Sequence, residues 1–245
     1  MRAKLRSRCL LIKKQPFSES SATLTVFSES EGLITILAKG IRKSKKQEYT
    51  LLNLLNEYEL VFTEPAQGNL PILSELTLLK DFPTDLPLQT WIYAQAAVEL
   101  ITKVLLPAEE ITLVYQLLSR YLDYLQRVQT NAVCIFWRFV LHLLNLMGIP
   151  INLYRCSACG KPQDGFSAYS PLTGQLLCDE CQQKAPTSFS LNQESSHILS
   201  LLPQIGNYLE DLVLSDEMVR QLHHFFLYYL SVQFNRDIHL KSLGL

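Results

Sequence analysis

Four cysteines carry the clearest chemistry in this chain. Two residues separate Cys156 from Cys159, two separate Cys178 from Cys181, and eighteen lie between the pairs, in "YRCSACGKPQDGFSAYSPLTGQLLCDECQQK". The pattern admits a disulfide knot, a redox pair or a metal site. A knot needs an oxidising compartment. A redox C-x-x-C opens a helix after a strand in a βαβ unit, and no βαβ pattern surrounds these doubled pairs. The spacing is that of a structural zinc site: a tight turn aims two sulfurs at one ion, and the loop returns the second pair. Gly160 suits the turn after the first pair, where a positive φ is wanted. Gly165 and Pro171-Leu-Thr-Gly174 suit a short hairpin between the pairs. Four thiolates fill the tetrahedron and leave no place for water or substrate. One structural Zn2+ on Cys156, Cys159, Cys178 and Cys181 is therefore expected. The two remaining cysteines, Cys9 and Cys134, read as small buried hydrophobes.

Basic residues form the second group. Residues 1–48 hold 11 of the 22 lysines and arginines against 4 acids, although the whole chain has a formal net charge of −1. Such an asymmetry points to an anionic partner for the basic part. Arg2, Lys4, Arg6 and Arg8 alternate along one stretch, with Lys13 and Lys14 at its end; Lys39, Arg42, Lys43, Lys45 and Lys46 follow in "AKGIRKSKKQ". A basic groove of this kind tracks a nucleic-acid backbone with strong salt dependence and weak sequence preference. The expected DNA contacts are Lys4, Arg6, Arg8, Lys39, Arg42, Lys43, Lys45 and Lys46. Phe17, Phe27 and Tyr49 are the aromatic candidates for stacking beside them, Phe27 being equally a core candidate.

The elements that must position these groups change character along the chain. Period-two alternation and β-branched runs predict strands at Arg2–Cys9, Ala22–Phe27, Leu33–Gly40, Asn56–Phe62 and Leu70–Leu79, with Pro71 marking an edge or a strand start. Five short strands in about 80 residues suit a small barrel of the oligonucleotide-binding type, which closes its own edges. From about Thr84 the period becomes helical. The spacings predict helices over Trp91–Leu105, Ile111–Leu125 and Val133–Met147, the last stopped by Gly148 with Pro150 beyond it. Two more follow at about Leu191–Leu209, with Ser190 and Gln193 at capping-box spacing, and Asp216–Phe234. The expected class is therefore a multidomain α+β protein: a barrel over residues 1–80, a helical domain over 81–153 and 187–245, and a cysteine module inserted at 154–186.

Other chemistries lack their residues. The nine glycines form neither G-x-G-x-x-G nor G-x-x-x-x-G-K-[ST], and no G-x-S-x-G elbow occurs. His142, His197, His223, His224 and His239 have no H-E-x-x-H spacing; adjacent His223 and His224 point apart on a helix, one to the core and one to the rim. Glu109-Glu110 and Asp179-Glu180 read as solvated acids. These absences point away from an enzyme. No apolar run reaches the length of a membrane span, and only about four apolar residues, Cys9 to Ile12, precede Lys13 where a signal peptide needs about 7–15. A cytoplasmic protein without a membrane or small-molecule partner is expected.

The order of several segments resembles the RecO family, recombination mediators of bacterial DNA repair. "CLLIKKQPFSESSATLTVFSESEG" and "AKGIRKSKK" are similar to its opening strand, Glu-Ser turn and A-K-G-x-R segment. "FWRFVLHLLNLMGIPINLYRCSACG" and "AYSPLTGQLLCDEC" are similar to its helix into the first cysteine pair and its approach to the second. A lysine frequent after the family's Glu-Ser turn is Ala22 here. The resemblance implies an N-terminal oligonucleotide-binding barrel, a helical domain and an embedded zinc module. It implies a nucleoid-associated protein that binds single- and double-stranded DNA, anneals complementary strands and, with RecR, loads RecA onto DNA coated by single-strand-binding protein. It also implies that the acidic, Phe-ending tail of that coating protein docks on the helical domain. Such a tail needs an apolar pocket with a cationic rim, for which Arg120, Arg127, Arg138 and Arg155 are the candidates. The rival reading is a zinc-stabilised protein–protein adaptor whose basic N-terminus is incidental.

Overall fold

The structure is a computed structural model that describes residues 3–44, 48–64, 68–170, 172–184, 186–187 and 189–244. Its contacts divide the chain into two compact units, Met1–Pro87 with Leu105–Gln126, and Leu88–Val104 with Arg127–Leu245.

Five strands build the first unit: β1 (Lys4–Pro16), β2 (Ala22–Ser28), β3 (Gly32–Ala38), β4 (Glu57–Thr63) and β5 (Leu73–Lys80). They form one antiparallel sheet in the order β3-β2-β1-β4-β5. A parallel bridge between Leu37 and Ile72, with the Leu37 N–H donating to Pro71 O at 2.8 Å, joins the two ends of that order. This is an oligonucleotide-binding-type barrel, as the strand count implies. Alternation sets its core: Cys9 and Leu11 of β1, Leu24 and Val26 of β2, Ile36 of β3 and Leu60 and Phe62 of β4 pack together inside. β1 runs seven residues further than its alternating segment predicts; a bulge between Leu11 and Lys13 carries it on to pair with β2 up to Pro16 opposite Ala22. A four-residue helix, α1 (Glu48–Leu51), lies between β3 and β4.

The helix α3 (Ile111–Leu125) belongs to this unit. It covers part of the sheet's outer face. Phe27 follows inward-facing Val26 and so points outward, yet it is fully buried, because its ring meets Tyr115 of α3 at 6.0 Å. Phe27 is thus a packing residue and not a stacking surface. Gly32 turns β2 into β3 at φ 68°, and a Cβ there would stand 3.2 Å from Ile111 Cδ1. Ser119 of α3 donates to buried Glu57 at 3.0 Å, and Lys80 reaches both Asp123 at 2.7 Å and Glu57 at 3.5 Å.

The second unit holds α2 (Leu88–Lys103), α4 (Ala132–Leu146), α6 (Gln193–Leu201) and α7 (Asp216–Phe234). The apolar face of α4 is broad because eleven of its residues are buried. Gly148, at φ 73°, ends this stretch as its sequence implies. The helix predicted at Leu191–Leu209 is shorter. Asn192, not Ser190, caps α6 by accepting from the Ser195 N–H, and a 3-10 segment, Leu202–Asn207, follows with a kink at Gln204. Pro203 explains the stop, since it cannot donate the next helical hydrogen bond. α7 has its predicted bounds, capped by Ser215. His223 is buried and His224 exposed. Among the described residues no helix is long and apolar enough to cross a membrane.

Candidate metal centre and nucleic-acid surface

Residues 154–190 build the cysteine centre from two knuckles and a small sheet. In the first knuckle Arg155 bridges to Pro162, and the Gly160 N–H, at φ 71°, returns to Cys156 O at 2.9 Å. The second begins a short helix, α5 (Asp179–Gln182), whose Cys181 N–H donates to Cys178 O at 3.1 Å. Strands β6 (Ala168–Ser170), β7 (Gln175–Leu177) and β8 (Phe189–Ser190), in the order β7-β6-β8, bring the knuckles together. The Ser157 N–H is anchored on Leu176 O at 3.0 Å.

The four sulfurs of Cys156, Cys159, Cys178 and Cys181 lie within 4.8 Å of one another, close enough to hold a metal ion. Cys159 Sγ and Cys178 Sγ are 4.0 Å apart. Four thiolates about 2.3 Å from one tetrahedral ion stand about 3.8 Å apart, so the cluster fits such a group. Burial on its own would raise the Cys156 thiol; the N–H groups of Cys159, Cys178 and Ala158 outweigh it and bring the pKa down to about 6. Burial pushes Cys181 up to about 12, helped by its thiol partners Cys178, Cys156 and Cys159.

The centre is tied into the helical unit by aromatic packing. Tyr169, on β6 and fully buried, meets Tyr229, Tyr228 and Phe225 of α7 edge-on at 5.6, 5.7 and 6.4 Å. Phe189 of β8 joins the same cluster, 5.8 Å from Phe225. Holding the four cysteines together therefore also holds β6 and β8 against α7.

The basic residues divide between the two ends of the barrel strands. Lys4, Arg6 and Arg8 are exposed on the outer side of the first half of β1. Arg6 is paired there, to Glu59 at 2.6 Å and Glu75 at 3.7 Å. Glu59 stands opposite Arg8 in the register, and Glu29 lies beside it. At the other end, Lys39, Arg42 and Lys43 are exposed beside the β1 terminus. Lys14 donates to Leu52 O at 2.6 Å and Tyr49 O at 3.0 Å, and sits 4.9 Å over the Tyr49 ring; Arg42 lies 6.0 Å over that ring. Burial lowers the Lys14 pKa. The only acid paired with a cation here is Glu19, with Lys43 at 3.3 Å, among the described residues. Lys45 and Lys46 lie outside the described residues. Lys14 joins this cluster although its place at a strand end gave no reason to separate it from Lys13.

The four candidate docking arginines fall in different units of the chain. Arg120 lies on α3 in the barrel unit, while Arg127 is exposed just after it in sequence. Arg155 donates to Gly160 O at 3.1 Å and so braces its own knuckle. Arg138 lines a cavity of about 210 Å³, with Leu141, His142, Asn145, Ile151, Leu153 and Pro203 among its walls. Burial, helped by the charge of Arg138, lowers the pKa of His142.

Residues 1–82 match the family model described as Recombination protein O N terminal, and residues 87–243 match Recombination protein O C terminal. The chain is 29% identical to the DNA repair protein RecO of Syntrophomonas wolfei over 203 residues, covering 81% of this chain and 78% of that one. It is 26% identical to the protein of the same name from Desulfitobacterium hafniense over 200 residues, covering 80% and 71% of the two chains. Against that of Vibrio parahaemolyticus it is 30% identical over 172 residues, covering 66% and 65%. The chain belongs to the RecO family of DNA repair proteins.

Proposed function

We propose that this chain is a non-enzymatic mediator that binds single- and double-stranded DNA, anneals complementary strands and, with RecR, helps load RecA onto DNA coated by single-strand-binding protein. The observation that carries this reading is the cationic end of the barrel, where Lys14 and Arg42 lie over the Tyr49 ring, Lys39 and Lys43 stand exposed in the same segment as Arg42, and Glu19 is their one paired acid among the described residues. Annealing is opposed by repulsion between two phosphate backbones, and a cationic surface holding both lowers that cost. Lys4, Arg6 and Arg8 would extend the track along β1. Arg6 must leave its carboxylates to do so, a small cost for exposed pairs. The metal would be one Zn2+ on Cys156, Cys159, Cys178 and Cys181, which supplies a structural cross-link; the tetrathiolate set suits zinc and leaves no open coordination position.

The test is a titration of fluorescent single-stranded DNA at several salt concentrations. Wild-type affinity should fall steeply with salt. Replacing Lys39, Arg42 and Lys43 together by Ala should weaken binding at least tenfold and flatten the log–log salt slope by about 2. Salt-indifferent binding, or a triple variant that binds like wild type, would refute the assignment.

A second role rests on the Arg138 cavity. Its mixed walls, with Leu141, Ile151, Leu153 and Pro203 beside Arg138 and His142, suit an acidic peptide tail ending in an aromatic residue, as on single-strand-binding protein. Arg138→Ala should weaken binding of such a peptide and leave affinity for naked DNA unchanged.

A further inference from the structure

Of the three aromatic residues near the basic segments, only one offers an open ring. Phe27 is buried under α3. The Tyr49 ring is occupied by Lys14 at 4.9 Å and Arg42 at 6.0 Å. Phe17 is 61% exposed, in the turn that carries β1 into β2. That turn is held from within: the Phe17 and Ser18 N–H groups both donate to Ser21 O, at 3.0 and 3.2 Å, and the Ser21 N–H donates to Ser18 Oγ at 3.1 Å. It is also held by the cations themselves. The Arg42 N–H donates to Ser20 O at 3.0 Å, its guanidinium donates to Ser18 O, and Lys43 pairs with Glu19. The backbone that carries this exposed apolar ring is thus held at the rim of the cationic patch.

We infer that Phe17 is a stacking platform for an unpaired nucleotide base, and that it makes the barrel's cationic end prefer single strands to duplex. The inference rests on the DNA-binding reading above and adds to it. Cations attract the phosphates of either form of DNA, but only an unpaired base has a free face to lay on a ring. Because the turn is already ordered, its backbone would lose little freedom on binding. Base–aromatic stacking at one site corresponds to roughly a 5- to 100-fold effect on affinity.

The experiment compares an oligonucleotide carrying 2-aminopurine, single-stranded and as a duplex, binding to the full chain and to Phe17→Ala and Phe17→Trp variants. Phe17→Ala should weaken single-strand binding at least fivefold, leave duplex affinity within twofold, keep the salt slope and abolish quenching of the 2-aminopurine. Phe17→Trp should restore single-strand affinity. Unchanged single-strand affinity in Phe17→Ala, or equal losses for both forms of DNA, would overturn the platform while a steep salt slope leaves the DNA-binding reading standing. A salt-indifferent wild type would overturn both.

Discussion

Protonation of His223 should unlock the helical unit. The imidazole is enclosed by Tyr93, Phe136 and Trp137, with ring centres 6.0, 6.2 and 5.4 Å away. Its Nδ1 accepts the Trp137 indole N–H at 3.2 Å, so a proton on that nitrogen would set two donors against each other. Burial, with a smaller contribution from His224, lowers the pKa from 6.5 to about 4. The folded value is depressed, so the unfolded chain binds the proton first as pH falls. The stabilisation is complete above pH 6.5 and is lost as pH falls from there through 4. At about 1.4 kcal/mol for each tenfold change in proton activity, the loss approaches about 3 kcal/mol, most of it by pH 4.5. The comparison is with His223→Gln, which keeps an acceptor for Trp137 and has no titrating ring. Urea unfolding at pH 7.5 and 4.5, followed by tryptophan fluorescence, measures both proteins. At pH 7.5 the variant should be less stable, by about 1–2 kcal/mol of lost ring contacts. By pH 4.5 the difference should shift by about 2.5 kcal/mol in its favour. Acid acts on the rest of the chain alike in both proteins, so the difference between them carries the test. Parallel losses in the two proteins would refute the reasoning.

Cys178→Ser should lower bound metal and destabilise the helical unit by on the order of 3 kcal/mol, with DNA affinity within twofold of wild type; metal analysis, thermal melting and DNA titration on one preparation check it. DNA binding lost while melting stays unchanged would show that the centre is no staple. Gly32→Ala forces a side chain into the left-handed region and toward Ile111, and should cost about 1–2 kcal/mol in chemical denaturation. Glu99 of α2 accepts from the N–H groups of Lys241 and Ser242, both at 3.0 Å, and pairs with Lys103 at 2.8 Å. Burial raises its pKa, but these partners together bring it down to about 2. The C-terminal latch should therefore hold above about pH 4.5 and weaken as pH falls toward 2. Glu99→Gln should speed hydrogen exchange at Lys241 and Ser242 already at neutral pH.

Much of this was legible because it is local. The cysteine spacing suffices for the four-sulfur cluster, since each pair needs only its own turn. The alternation of Leu24 and Val26 with Thr23 and Thr25 identifies the inward face of β2 from neighbours alone. What escaped depends on partners far along the chain. Phe27 could be core or surface until the helix that covers it, more than eighty residues later, was placed. The pairing of Arg6 with Glu59 and Glu75 arises only through strand register, which its own neighbours do not reveal. Arg120, Arg127, Arg138 and Arg155 share a charge, and nothing in their spacing tells the cavity-lining Arg138 from the knuckle-bracing Arg155. At α6 the cap is Asn192 and not Ser190, because the Asn192 side chain reaches the Ser195 N–H at 2.8 Å.

The placement of α3 also bears on how the chain is made. Its partners on the sheet, Phe27, Gly32 and Glu57, are synthesised first, and Ile111–Leu125 leaves the ribosome only after α2 has passed. A nascent chain halted after residue 87 would carry all five strands with an uncovered greasy flank. Such an intermediate invites chaperone capture during translation. A fragment cut between the two family-matched segments would keep that exposed flank permanently.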